Sequence, residues 1–207
     1  MSEWAKAAAA SLPDMSELTF EERGHIYRLN GIAVPSVTTL MKPLSDDYYR
    51  TIDPAVLAQA ASRGTAIHNA VENYVQFGIV DIEPRYEGYF TAFRKWLSAR
   101  EPEIVATERK VYHKILRYAG TSDLLAIING RLTLVDYKTS AQVNTKLCDV
   151  QLEGYDRAYE SHGVVIEDRL ILHLSRDGKF VEVPFKRSAK SWSAFSALMT
   201  IHNYMTN

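Results

Sequence analysis

The stretch YAGTSDLLAIINGRLTLVDYKTS, from Tyr118 to Ser140, decides how this chain is read. Asn129-Gly130 near its middle is the dipeptide that favours a two-residue type I′ hairpin, whose central residues both need positive φ. Counting outward from that turn sets Ile128 opposite Arg131 and, further along, Asp123 opposite Asp136. Directly opposed residues share a sheet face, with Cβ atoms roughly 4.5–5.5 Å apart. Lys138 lies two residues beyond Asp136 and falls on the same face. Leu132 and Leu134 precede this pair on one strand, and Leu125 and Ile127 follow Asp123 on the other. Both strands therefore turn from apolar to charged at the same end, which predicts a cleft at the sheet edge. Two opposed carboxylates repel each other, and a divalent cation relieves that repulsion.

Composition narrows the field. The chain has 207 residues, 46% hydrophobic and 24% charged, which suits one well-packed globular domain. A formal net charge of -1 argues against a basic coat for nucleic acid, although a local basic patch is still enough to bind one. The single cysteine, Cys148, excludes an intrachain disulfide and a four-cysteine metal or iron–sulfur site. It reads as a small buried helix residue. No apolar run approaches the ~20 residues of a membrane span, and the start does not read as a secretory signal, so a cytoplasmic protein is expected. There is no internal repeat, and no Walker A loop to encode a motor.

Along the chain, a short helix is expected near residues 3–11, then a small hairpin from His25 to Val34 turning at Asn30-Gly31. Ser36 reads as the N-cap of a short helix from Val37 to Met41. Pro54 opens a longer helix, interrupted at a cost by Gly64 and stopped at Gly78. A further helix spans about Arg85 to Ala99. After Pro102 the texture changes to a strand from Glu103 to His113 and then the two strands of the hairpin. A helix from Cys148 to Ser161, two strands over Arg169 to Leu174 and Phe180 to Phe185, and a last helix from about Ser188 to Tyr204 complete the order. The expectation is α/β, with a mixed central sheet between helices. It is read as a single domain over 1–207, with a mainly helical part over 1–101 and an α/β core over 102–207.

The chemistry follows from charge. A phosphodiester is an anion and resists attack by hydroxide. A bound divalent ion neutralises it and lowers the pKa of a water. Asp123 and Asp136 make a clamp of hard oxygens suited to Mg²⁺, and the Tyr137 carbonyl between Asp136 and Lys138 can complete it. Lys138 can hold the attacking water and offset charge on the phosphate. An isolated Asp-x-Lys also occurs by chance at strand ends as an ion pair; the register with Asp123 is what gives it weight.

These segments resemble a known family, the PD-(D/E)XK nucleases with their restriction-endonuclease-like core. Within it they resemble the RecB-like exonuclease branch, which includes mitochondrial genome-maintenance and phage-type exonucleases. The matching pieces are GTSDLL with Asp123, VDYKTS with Asp136 and Lys138, QLEGY with Gln151 and Tyr155, RGTAIH with His68, and PSVTTLM after the small hairpin. The resemblance runs from about His25 to Ser161. It implies a Mg²⁺- or Mn²⁺-dependent DNA exonuclease, with one or two ions and no iron–sulfur cluster. Such an enzyme acts on a single strand or a duplex end in recombination, repair or replication, in a bacterial or phage-infected cell. The resemblance leaves room for a recombination or replication partner protein, implies no membrane, and leaves the oligomeric state open. An endonuclease on the same fold and an inactive DNA-binding module are the alternatives.

The resemblance also implies roles for single residues. His68 would join the metal shell, and an imidazole suits Mn²⁺; a lone helix histidine is otherwise more often packed or on the surface. Glu72 shares its helix face. Gln151 and Tyr155 would sit over the site, where they orient Lys138 or the DNA backbone. Glu108 falls opposite Thr121 to Asp123 if a tight turn near Ile115 joins the strands, and it then corresponds to the family's first-strand acid. Arg63 and Lys146 are the best of several basic residues for tracking phosphates. Tyr48-Tyr49, Tyr74 and Phe77 can stack on unpaired bases, but core packing is the commoner fate of helix aromatics and is expected for Phe77.

Overall fold

Asn129 and Gly130 both take positive φ, 51° and 75°, and the hairpin they close has the register counted from the sequence, Ile128 opposite Arg131 through to Leu124 opposite Val135. The computed structural model describes residues 2–206; the outermost positions of the expected domain, 1 and 207, lie outside the described residues.

The elements run α1 (Glu3–Ser11), β1 (Leu18–Glu21), β2 (Ile26–Leu29), β3 (Ile32–Val34), α2 (Val37–Tyr49), α3 (Pro54–Phe77) and, after a 3-10 turn at Pro84–Tyr86, α4 (Glu87–Arg100). Then come β4 (Glu103–Tyr112), β5 (Ala119–Ile128), β6 (Arg131–Lys138), α5 (Thr145–Glu160), β7 (Asp168–Leu174), β8 (Phe180–Phe185) and α6 (Ala189–Thr206). Local signals explain several ends. The Ser36 hydroxyl caps α2 by accepting the Thr39 N–H at 3.0 Å, and Gly78, in the left-handed region, stops α3. α2 runs two turns further than expected, passing through Pro43. The helix α3 also runs through Gly64, where a Cβ would meet open space.

Strands β4 to β8 lie side by side in chain order. Three of the four pairings are antiparallel and β6–β7 is parallel, because α5 carries the chain across between those two strands. The sheet is thus mixed and flanked by helices, as expected. Alternation along each strand splits the core in two. Leu125, Ile127, Leu134 and Ile171 pack with α1, α2, α5 and α6. Leu124, Ala126, Val135, Leu170 and Leu172 pack with α3 and α4 through Ile67, Val71, Phe93 and Trp96.

The N-terminal part holds more than helices. β1, which the sequence reading lacked, joins the expected hairpin in a three-stranded sheet. That small sheet shares a core of Leu18, Tyr27, Leu29 and Val34 with Tyr112 and Ala119 of the main sheet. Among the described residues no helix is long and apolar enough to cross a membrane.

Candidate active site

Three adjacent strands each deliver one acid to the same end of the sheet. Thr107 pairs with Leu124 and Arg109 with Ser122, so Glu108 between them faces Asp123. Asp123 and Asp136 stand one step beyond the Leu124–Val135 rung, where the backbone ladder between β5 and β6 ends. There the Tyr137 N–H donates to Oδ2 of Asp123 at 2.7 Å. Glu108 itself has φ of 43°, a conformation that costs a residue with a side chain and is concentrated at functional sites. No sequence signal announces it.

His68 comes to this row from α3. Ile67, Ala70 and Val71 bury one side of that helix, while the imidazole rests edge-on against the Tyr137 ring at 5.5 Å. Its Nδ1 lies 3.2 Å from Glu108 Oε1 and 3.5 Å from Asp123 Oδ1. One donor atom from each of these three residues falls within 4.8 Å of the others. Two carboxylates and an imidazole, partly shielded from water, form a donor set that fits a hard or borderline divalent ion.

Asp136 stands apart from this tight group. It is 2% exposed, and its Oδ2 is in ionic contact with the Lys138 ammonium without a well-directed hydrogen bond. Lys138 also donates to Oε1 of Gln151 at 3.1 Å. Of the expected metal residues Asp123, Asp136, Tyr137, His68 and Glu108, the tightest trio is His68, Glu108 and Asp123, with Asp136 held by Lys138 beside it.

The titrations follow from this crowding. Burial opposes a charged imidazole, but Asp123, Glu108 and Asp136 outweigh it and lift His68 to about 9. Burial lifts Asp123 to about 7; His68 pulls it down, while Asp136 and Glu108 push it up. Burial also opposes the Lys138 charge, yet Asp136 and Asp123 hold that ammonium above the ordinary lysine range.

No protein-family model matches the sequence, and no curated protein matches it. The alkaline exonuclease of Laribacter hongkongensis is similar in structure, over 68% of this chain and 83% of its own, with TM-score 0.43 and 9% identity. The same enzyme in complex with dAMP gives TM-score 0.41 and 12% identity over the same shares. The protein SSO0001 is similar over 81% of this chain and 85% of its own, with TM-score 0.41 and 12% identity. Likeness at this level carries no argument about chemistry, which rests on the side chains.

The remaining sequence candidates divide. Gln151 touches Lys138, as described. Tyr155, one turn later, is buried against Gly120, where a Cβ would meet its ring at 2.7 Å. Arg63 donates to the Thr139 hydroxyl at 3.3 Å and lies over the Tyr89 ring, beside a cleft of about 260 Å³ that Arg176 also lines. Lys146 is exposed in the first turn of α5. Glu72 accepts from Gln76 instead of His68. Phe77 corrects an expectation: it is 66% exposed, because Phe77, Ile79 and Val80 at the end of α3 all stand clear of the core. Tyr27 was missed. Its hydroxyl meets that of Thr121 at 2.8 Å, joining the small sheet to the strand that carries Asp123.

Two features hold α5, and with it Gln151, in place. Glu153 and Asp156 are wholly buried and are paired by Arg169 from β7 and by Arg187. Gly154 allows α6 to approach so closely that a Cβ there would lie 2.6 Å from the Phe195 ring.

Proposed function

We propose that this protein is a Mg²⁺- or Mn²⁺-dependent DNA exonuclease whose single domain covers the chain. The observation that carries the reading is the meeting of His68, Glu108 and Asp123 beside the Asp136–Lys138–Gln151 chain at one sheet end. His68, Glu108 and Asp123 would hold the ion, with Asp136 and the Tyr137 carbonyl completing its surroundings. When bound, the ion neutralises the phosphate and acidifies a water.

The protein's own groups have separable tasks. Lys138 holds the attacking water and offsets charge on the phosphoryl oxygens. Gln151 takes one ammonium proton in a hydrogen bond and so fixes the direction in which the other two point. Tyr155 packs behind it as part of the same wall. Arg63 and Lys146 contact the phosphates of the strand. The exonuclease reading, the role in recombination, repair or replication and the cytoplasmic setting rest on the RecB-like segments RGTAIH, GTSDLL and VDYKTS.

The test uses end-labelled linear and closed circular DNA, single- and double-stranded, with Mg²⁺, Mn²⁺ or EDTA. Metal-dependent loss of linear DNA alone, absent in Lys138→Ala, is the expected result. Cutting of circles makes the protein an endonuclease, and binding without cleavage in either metal makes it an inactive module.

A further inference from the structure

A cavity of about 310 Å³ has Lys138 in its lining. Lys138 and Gln151 form one wall. Met41, Ser45 and Tyr49 of α2 also line the cavity, as do Leu147, Cys148 and Asn144 at the start of α5. We infer that this cavity accepts one unpaired nucleobase of the strand being cut, from the nucleotide next to the scissile phosphate. The inference rests on the nuclease reading and adds to it a reason for strand preference.

The lining has the character that a base requires. Met41, Leu147 and Cys148 are buried apolar surface, while Tyr49 is half-buried and brings an aromatic ring to the lining. A cavity with an apolar floor, one aromatic face and a few polar rim atoms is the usual form of a site for a flat heteroaromatic ring. The rim is also directional. Asn144 Oδ1 is occupied by the N–H groups of Lys146 and Leu147, both at 3.1 Å, so the amide presents its NH₂ as a donor. The Ser45 hydroxyl donates to the Lys42 carbonyl at 3.0 Å and presents lone pairs. A donor and an acceptor thus both belong to residues that line the cavity, as the mixed edge of any base demands.

Position selects the occupant. Because Lys138 belongs both to this wall and to the Asp136 pair, a phosphate at the ammonium leaves its neighbouring sugar and base within reach of the cavity. A base still paired in a duplex cannot enter. The cavity thus favours a single strand or a frayed end, and stacking gives it little base preference.

The test has two independent arms. In EDTA, binding of a deoxynucleoside 5′-monophosphate and of 2-deoxyribose 5-phosphate is measured by NMR titration against wild type, Ser45→Trp and Tyr49→Ala. The nucleotide is expected to bind wild type about tenfold more tightly than the sugar phosphate, and both variants to lose that difference. Ser45→Trp fills the cavity and Tyr49→Ala removes its aromatic face, so a fold defect in one, seen by circular dichroism, leaves the other to decide.

In the second arm, with Mn²⁺, wild type is expected to cut a single strand about tenfold faster than the same strand with an abasic residue at the scissile nucleotide, and both variants to cut the two alike. Equal binding of nucleotide and sugar phosphate by wild type overturns the inference. So does equal cutting of intact and abasic strands by wild type. Absence of all cleavage overturns the nuclease reading, and the binding arm then judges the cavity by itself.

Discussion

The Tyr137 N–H donates to the Asp123 carboxylate at 2.7 Å, so a side chain of β5 takes over the pairing of β6 at the step where their ladder ends. One oxygen of Asp123 is thereby anchored to the backbone, and the other faces His68 at 3.5 Å. The carboxylate is aimed before any ion arrives.

This double use separates two substitutions at one position. Asp123→Asn keeps an acceptor for the buried Tyr137 amide, whereas Asp123→Ala orphans it at a cost of about 1–3 kcal/mol. Urea unfolding in EDTA should find the alanine variant less stable than the asparagine variant by that amount. Both variants should lose Mn²⁺-dependent cleavage. Equal stability of the two would show that the amide finds another partner.

The raised titrations of His68 and Asp123 predict how stability and metal binding change with pH. His68 moves from 6.5 to about 9 on folding, and Asp123 from 3.8 to about 7. Both hold protons more tightly when folded, so their stabilising effect is full below the unfolded values and fades as pH rises through the folded ones. The Tm of the metal-free protein should therefore fall between about pH 6 and 9. Mn²⁺ must displace these protons, so its affinity should rise over the same window. Calorimetry in buffers of different ionisation enthalpy counts the protons released. A Tm that is flat or rising over that range in EDTA sinks this prediction.

Glu108 combines a positive φ with a charge facing another acid. Glu108→Gly removes both penalties, since glycine adopts this backbone freely and carries no carboxylate. Above about pH 9, where His68 no longer carries the charge that Glu108 pairs, the metal-free variant should be more stable by about 1 kcal/mol; at neutral pH it should bind Mn²⁺ at least tenfold more weakly. Thermal unfolding with and without Mn²⁺ reads both quantities; a variant destabilised in EDTA at the higher pH removes the argument from backbone strain.

Lys138 neutralises a carboxylate that is nearly out of water. Lys138→Met leaves Asp136 without its counter-charge and should cost about 3–5 kcal/mol in EDTA. Cleavage should drop about 10²–10³-fold or more. The stabilisation by Mn²⁺ should be larger in this variant than in wild type, because the site is then more negative. A smaller metal-induced rise in Tm would mean that Lys138 helps to shape the metal site.

Gly120 gives Tyr155 its place. Gly120→Ala puts a Cβ at 2.7 Å from that ring, so the ring or α5 must shift, and activity should fall about 10²-fold, as 1 Å misplacements do. Tyr155→Phe keeps the packing and should retain far more activity. A fully active Gly120→Ala variant would free Tyr155 from any positioning role.

Much of the site was legible because it is built from short-range rules. An Asn-Gly turn and period-two alternation were enough to align Asp123, Asp136 and Lys138, since register in a tight hairpin is a local property. Glu108 followed by the same counting once its strand was joined to the next. The helix caps at Ser36 and Gly78 were equally local. Phe77 failed for the opposite reason: helical spacing tells which residues share a face, but not how far the helix extends beyond what it packs against.

By itself, then, the sequence determined the hairpin, the face on which its charges lie and the order of helices and strands, because turns, caps and alternation act over a few residues. Only the tertiary structure decided that His68 meets Glu108 and Asp123, that Asp136 turns to Lys138, and that α2 and α5 enclose a cavity beside that lysine. Apart from the Asp136–Lys138 pair, which lies within one strand, those contacts join segments far apart in the chain. They depend on the packing of α3 and α5 onto opposite faces of the sheet, and on the buried Arg169–Glu153 pair and the Gly154–Phe195 approach that set where α5 lies.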